Sequence, residues 1–96
     1  MKTIVTDLDG TLLDNGTLSS RSIEVLKKLQ KNHRLVLATG RNMESVKHIY
    51  QELEMDKYGT GSLILLNGLA FYDFKDNEYI SLKSFNKKQA ERITKL

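Results

Sequence analysis

Three short apolar runs, rich in β-branched residues and leucine, recur along the chain with polar, helix-like segments between them. They lie within residues 2–6, 34–38 and 62–66. Continuous apolar runs of this length are typical of strands whose two faces are both covered. Each run stops at a glycine-containing turn, which marks its carboxyl end.

The two intervening segments carry apolar residues at helical spacing. Ser19 or Ser20 is a natural N-cap for the first helix, and Asn42 is one for the second, which we expect to continue until the break at residues 58–61. The predicted inward positions are Ser22, Val25, Leu26 and Leu29 in the first helix and Met43, Val46, Ile49, Tyr50 and Leu53 in the second. Alternating strands and helices predict an α/β fold with a parallel sheet flanked by helices.

The pattern changes after Asn67-Gly68. Residues 70–74 and 78–82 flank a polar turn, which indicates a β-hairpin, and Asn86 is a natural cap for a last helix over residues 87–96. We expect residues 1–74 to form a core domain and residues 75–96 to begin a second unit.

Composition excludes several classes of protein. The chain has no cysteine, so it has neither disulfides nor thiolate metal ligands. It has no signal-peptide pattern at its start and no run approaching the roughly 18 apolar residues of a membrane span. The formal charge of +3 arises from residue Lys83 onward, where the net charge is +4 and Phe85 is the one aromatic residue. We therefore expect a cytoplasmic protein that binds neither nucleic acid nor membranes.

Polar residues follow each of the three strands directly. They are Asp7 to Thr11 after the first strand, Thr39-Gly40-Arg41 after the second and Asn67-Gly68 after the third. Ligands of open parallel sheets bind beyond the carboxyl ends of the strands, so these groups are expected at one edge. Asp7 and Asp9 point the same way in an extended chain, and Mg²⁺ would relieve the repulsion between their carboxylates. Thr39 is placed to bind an anion at a helix N-terminus.

These motifs resemble a known superfamily. Residues 7–13, Asp-Leu-Asp-Gly-Thr-Leu-Leu, are similar to the first motif of haloacid dehalogenase (HAD) superfamily hydrolases, and Ala38-Thr39-Gly40-Arg41 is similar to the second. Asn67-Gly68, followed by Ala70 and Asp73, resembles the segment before the cap domain in the Cof-type branch of sugar-phosphate phosphatases. The resemblance covers the whole chain and implies a Rossmann-like core followed by the start of a cap.

The resemblance also implies roles for individual residues. Asp7 would be the nucleophile that forms an aspartyl-phosphate, and Asp9 would be the general acid and base. The Asp7 carboxylate and the Asp9 backbone carbonyl would bind Mg²⁺. Gly10, Thr39 and Gly40 would bind the phosphoryl oxygens of a small phosphorylated metabolite.

Several alternatives stay open at this stage. Thr39 could cap the second helix, Arg41 could form a surface ion pair or contact the substrate, and Asn67 could be a turn residue or a substrate contact. The family's later lysine and acidic pair have no counterpart here, so we expect an incomplete metal shell. The chain could accordingly be a truncated, inactive fragment that binds phosphate or Mg²⁺ or serves as an interaction module. A mutase would share the nucleophile but transfer phosphate to a sugar.

The resemblance implies a testable property of the first strand. In this fold later strands pair with its far side, so in their absence residues 2–6 would be an exposed apolar edge, which is a template for association. We predict self-association through this strand, or marginal stability. Sedimentation at several concentrations measures the first, and thermal melting measures the second. A monomer at every concentration with a sharp cooperative melt would contradict the prediction.

Overall fold

The computed structural model describes residues 2–13 and 16–81, which form one five-stranded sheet with helices packed against it. The strands lie side by side in chain order: β1 (Thr3–Asp7), β2 (Arg34–Ala38), β3 (Ser62–Leu65), β4 (Ala70–Asp73) and β5 (Glu78–Ser81). β1, β2 and β3 are parallel, whereas β4 and β5 form an antiparallel hairpin. The predicted fold class is confirmed. The hairpin extends the core sheet through residue 81, and the domain boundary at residue 75 stays a prediction.

Two helices connect the parallel strands. α1 spans Ser20–Gln30 and α2 spans Met43–Glu52. The predicted caps are confirmed, since Ser19 Oγ accepts a bond of 3.1 Å from the Ser22 amide and Asn42 Oδ1 accepts one of 2.8 Å from the Ser45 amide. Among the described residues no helix is long and apolar enough to cross a membrane. The helix predicted for residues 87–96 lies outside the described residues.

α2 ends earlier than the sequence pattern predicted. Glu54 adopts a left-handed backbone conformation with φ 55°, and a short helix α3 (Met55–Tyr58) follows it. This turn carries Met55 into the core, where its side chain is fully buried. The apolar spacing could not indicate the break, because glutamate is an unusual residue at positive φ.

The core lies between the sheet and the helices. The predicted face of α2 is confirmed, with Val46, Ile49 and Leu53 buried. The predicted face of α1 is confirmed at Leu26, which is buried, and at Leu29, which packs against the core. It is wrong at Val25, which is 46% exposed, and Ile23 packs against the core instead.

Gln30, the last residue of α1, is buried despite its polar side chain. Its Nε2 donates hydrogen bonds to the Leu53 carbonyl at 2.7 Å and to the Leu26 carbonyl at 3.3 Å. The amide therefore ties α1 to the end of α2 and turns the Leu26 side of α1 inward. Burial of a polar side chain is tolerated when it is hydrogen-bonded in this way.

The strand register brings the carboxyl ends of the parallel strands level. Asp7 pairs with Ala38, and Ala38 pairs with Ile64. The ladder continues one residue beyond the strands, because the Leu8 amide donates to the Ala38 carbonyl at 3.0 Å and the Thr39 amide donates to the Ile64 carbonyl at 2.9 Å. The segments that follow β1, β2 and β3 consequently leave the sheet at one edge.

Within the described residues β1 lies at one side of the sheet and pairs only with β2. Its Val5 side chain is 59% exposed. Among the described residues β1 is therefore an edge strand, as the self-association prediction requires, and the association itself stays a prediction.

Gly61, just before β3, provides a test of packing. A Cβ added there would lie 2.6 Å from the Leu35 carbonyl oxygen, which belongs to β2 and cannot move away freely. We expect Gly61→Ala to lower the free energy of unfolding by about 1–3 kcal/mol, as overpacking does. Denaturant unfolding measures the loss. Gly40→Ala is the matched control, because its Cβ would meet the mobile side chain of Asn67; equal losses in the two variants would contradict the account.

Candidate active site

The loop after β1 folds back over the sheet edge. Leu8 is fully buried and Leu13 is 7% exposed, so both ends of the loop are anchored in the core. The amides of Leu12 and Leu13 donate to the Leu8 carbonyl at 3.1 and 3.0 Å, and Gly10 makes the turn with φ 79°. A positive φ of this kind strains residues that have a Cβ. The anchored loop keeps Asp7 and Asp9 at the carboxyl end of β1.

The Asp9 carboxylate is held by two residues from the loop after β2. Arg41 Nη2 donates to Oδ1 at 2.8 Å, and Arg41 Nε donates to Oδ1 at 3.1 Å and to Oδ2 at 3.3 Å. Thr39 Oγ1 donates to Oδ2 at 3.1 Å. The Arg41 hydrogen bonds are the main cause of a lowered pKa at Asp9. Desolvation opposes them and is the next largest effect, and the Thr39 hydrogen bond and the Arg41 charge lower the pKa further. These contacts favour the ionised form of Asp9 in the free protein.

The Asp7 carboxylate has a different environment from that of Asp9. It is exposed and has no hydrogen-bond or ion-pair partner among the residues that the structure describes. The sequence alone predicted that Mg²⁺ would relieve the repulsion between the Asp7 and Asp9 carboxylates. The structure instead separates a free carboxylate from one that is already paired, which is the separation that nucleophilic and acid–base roles require.

Thr39 lies behind Asp9 and is 8% exposed. Its Oγ1 accepts a bond of 3.0 Å from the Arg41 amide while donating to Asp9. It does not cap α2, because Asn42 does so. The Thr39 hydroxyl is therefore engaged, and it would have to exchange Asp9 for another acceptor to donate to a bound anion.

The turn after β3 is the third segment that lies at this edge of the sheet. Leu66, Asn67 and Gly68 all have positive φ angles of 52°, 55° and 93°. The amides of Leu66 and Asn67 donate to the carbonyls of Arg41 and Thr39, each at 3.2 Å. Left-handed backbone at non-glycine residues is strained and persists where surrounding contacts impose it. Here the loop after β2 imposes it.

The side chain of Asn67 lies close to Gly40, which belongs to the loop after β2. A Cβ on Gly40 would lie 3.0 Å from Asn67 Oδ1. The glycine thus makes room for the amide. Asn67 is a turn residue, and its side chain also borders the cleft. Its contact with a substrate stays a prediction.

A cleft of about 510 Å³ lies at this edge. It is lined by Asp7, Leu8, Asp9, Ala38, Thr39, Gly40, Ile64, Asn67 and Gly68. The predicted site residues Asp7, Asp9, Thr39, Gly40 and Asn67 are therefore brought together. Gly10 and Arg41 do not line the cleft; Gly10 shapes the loop, and Arg41 contacts Asp9. Sequence reasoning did not single out Leu8, Ala38 or Ile64, whose apolar character indicated only strand or core.

The residues present fit one side of a magnesium site. Mg²⁺ prefers oxygen ligands and keeps several waters, and the unpaired Asp7 carboxylate is such a ligand beside the cleft. The Asp9 carboxylate is committed to Arg41, so only its backbone carbonyl is a candidate second ligand. Within residues 2–13 and 16–81 no group of three His, Cys, Asp or Glu residues is placed to bind a metal.

The chain is similar to known hydrolases over nearly its full length. The model of a family described as haloacid dehalogenase-like hydrolase matches residues 4–96. A Mycoplasma pneumoniae protein named "Putative phosphatase" is 33% identical over 85 residues, an alignment covering 83% of this chain and 29% of that protein.

Solved structures give the same result. A haloacid dehalogenase-like hydrolase from Bacteroides thetaiotaomicron has a TM-score of 0.76 and 31% identity, covering 98% of this chain and 36% of that one. One from B. subtilis has a TM-score of 0.70 and 29% identity, covering 97% and 32%. The chain spans about a third of the length of these relatives.

The paired Asp9 predicts a pH dependence of stability. Its pKa is lowered from the ordinary value of 3.8, so its contribution to stability is present above that value and is lost as the pH falls through the folded-state pKa. We expect wild type to be more stable than Asp9→Asn near neutral pH, with the difference shrinking as the pH falls below about 4. Denaturant unfolding at several pH values measures it.

Arg41→Gln provides the control for this dependence. Because Arg41 is the main cause of the lowered pKa, this variant should lose the same acid-dependent part of stability, and the double variant should lose no more. A constant difference between wild type and Asp9→Asn down to the lowest pH would contradict the pairing.

Proposed function

Because the chain belongs to the haloacid dehalogenase-like hydrolase family, we propose that it supplies the catalytic face of a Mg²⁺-dependent, cytoplasmic phosphomonoester hydrolase. The substrate class is a small phosphorylated metabolite such as a sugar phosphate. The observation that carries the proposal is the free Asp7 carboxylate, which borders the same cleft as the paired Asp9 and the buried Thr39.

The first step transfers the phosphoryl group to Asp7. An Asp7 carboxylate oxygen attacks phosphorus as the bond from phosphorus to the alcohol oxygen breaks. For this step Asp9 must carry a proton, and loss of the Thr39 hydrogen bond to the arriving phosphoryl group would raise its pKa toward the ordinary value. The leaving oxygen receives that proton. The products are an aspartyl-phosphate and a free alcohol.

The second step releases phosphate. Asp9, now ionised, takes a proton from water as the water oxygen attacks phosphorus. The bond between phosphorus and the Asp7 oxygen breaks, which restores the Asp7 carboxylate. The Arg41 and Thr39 contacts that lower the pKa of Asp9 favour the state in which this step begins.

Binding of the phosphoryl group requires a change of partner at Thr39. Its hydroxyl donates to Asp9 Oδ2 in the free protein. In the complex it would donate to a phosphoryl oxygen, with backbone amides near Gly40 and Gly10 beside it. When bound, Mg²⁺ would offset the charge of the phosphoryl group beside Asp7.

A second candidate function is a phosphate- or Mg²⁺-binding module without turnover. It is favoured by the pairing of Asp9 with Arg41, because this pairing favours the ionised carboxylate over the protonated form that an acid catalyst needs. This candidate predicts binding of phosphate without its release from esters.

Phosphate release from an aryl phosphate distinguishes the two candidates. We expect Mg²⁺-dependent release by the wild-type chain and its loss, by at least about a hundredfold, in Asp7→Asn, because the amide is no nucleophile. Asp56→Asn is the matched control, since Asp56 lies in α3, before β3 and away from the cleft.

Activity that is equal in wild type and Asp56→Asn but absent in Asp7→Asn supports hydrolysis. Release no greater in wild type than in Asp7→Asn would contradict it for this chain and leave the binding module.

A further inference from the structure

We propose that Arg41 is a positioning residue for Asp9 and does not bind the substrate. Its guanidinium holds Oδ1 of the Asp9 carboxylate in place, which leaves Oδ2 as the oxygen that exchanges a proton with the leaving group and with water. This inference rests on the proposed function and names the reacting atom of the same site.

The first support is the geometry of the ion pair. Two guanidinium nitrogens of Arg41 face one carboxylate, and both reach Oδ1 within 3.1 Å. A planar guanidinium that binds through two nitrogens fixes the orientation of its partner as well as its charge. The contact also places Arg41 outside the lining of the cleft.

The second support is the way Arg41 itself is held. Its amide donates to Thr39 Oγ1 at 3.0 Å, and its carbonyl accepts from the Leu66 amide at 3.2 Å. Its side chain is 28% exposed, against 51% for that of Asp9. The arginine is therefore the anchored, more covered partner, and the carboxylate is the partner that faces the cleft.

The third support is the difference between the two Asp9 oxygens. Oδ1 receives the two shortest Arg41 bonds, whereas Oδ2 receives the Thr39 hydroxyl and a longer bond of 3.3 Å from Arg41 Nε. When Thr39 turns to a phosphoryl oxygen, Oδ2 loses its best donor and Oδ1 keeps both of its own. Binding of the phosphoryl group would therefore free Oδ2 of Asp9 and leave Oδ1 bound to Arg41.

The contact can be tested in the chain itself by NMR of the Arg41 Nε–H group. We expect a distinct, slowly exchanging signal in wild type that moves to the position of a free arginine in Asp9→Asn. Asp7→Asn is the matched control, because Asp7 lies at the same edge without contacting Arg41, and it should leave the signal in place. A signal that is unaffected by Asp9→Asn would overturn the proposal.

Binding of inorganic phosphate separates positioning from substrate contact. We expect Arg41→Gln to change the Kd for phosphate by less than about twofold, and Thr39→Ala to raise it by about tenfold. If Arg41→Gln weakens phosphate binding as much as Thr39→Ala does, Arg41 binds the anion and the proposal fails.

Turnover gives a readout that a merely structural role would not change. An alkyl phosphate needs its leaving group protonated, whereas an aryl phosphate with an acidic phenol does not. We expect Arg41→Gln to lower kcat for the alkyl ester by about tenfold more than for the aryl ester, with KM little changed. Arg41→Lys should restore little of the lost kcat, because lysine keeps the positive charge but lacks the two guanidinium nitrogens that bind one carboxylate together.

Equal losses of kcat for both esters, or full rescue by Arg41→Lys, would overturn the proposal. If the wild-type chain hydrolyses neither ester, the proposed function fails, while the NMR and phosphate measurements still decide the role of Arg41. The two failures are therefore distinguishable.

Discussion

The level pairing of β1, β2 and β3 is the constraint on which the rest of the structure depends. Parallel strands place their carboxyl ends on one side, and the pairing of Asp7 with Ala38 and of Ala38 with Ile64 removes any stagger between them. Three loops far apart in sequence then share one edge. A shift of β1 by one residue would turn Asp7 to the opposite face of the sheet.

At that edge the loops hold one another. The loop after β2 binds Asp9 from one side and pins the strained turn at Leu66 and Asn67 on the other. Arg41 takes part in both contacts. The outcome is an asymmetric pair of carboxylates in which Asp9 is restrained and Asp7 is free. Such a division is how two chemically identical groups come to perform different tasks.

Much of this arrangement was predictable from sequence because it depends on local patterns. Continuous apolar runs specified the strands, Ser19 and Asn42 specified the helix starts, and strand order placed Asp7, Thr39 and Asn67 at one edge. Burial of Gln30 and exposure of Val25 were not predictable, because a hydrogen bond from Gln30 to the Leu53 carbonyl joins α1 to the end of α2. Tertiary contacts override periodicity in such places.

The pairing of Arg41 with Asp9 was also beyond sequence reasoning. The two residues are 32 positions apart, and nothing in either motif fixes which carboxylate the guanidinium reaches. That choice depends on where the loop after β2 lies relative to the loop after β1. The resemblance to a family supplied roles for Asp7 and Asp9, and the structure supplied the physical difference between them.

The central claim is that Asp7 is the carboxylate free to accept a phosphoryl group. Borohydride reduction of the chain during turnover of an aryl phosphate tests it, because an acyl phosphate on aspartate is reduced to homoserine, which mass spectrometry locates. The account predicts homoserine at Asp7, with Asp9 unmodified. Homoserine at Asp9, or an unmodified Asp7 under conditions in which phosphate is released, would contradict it.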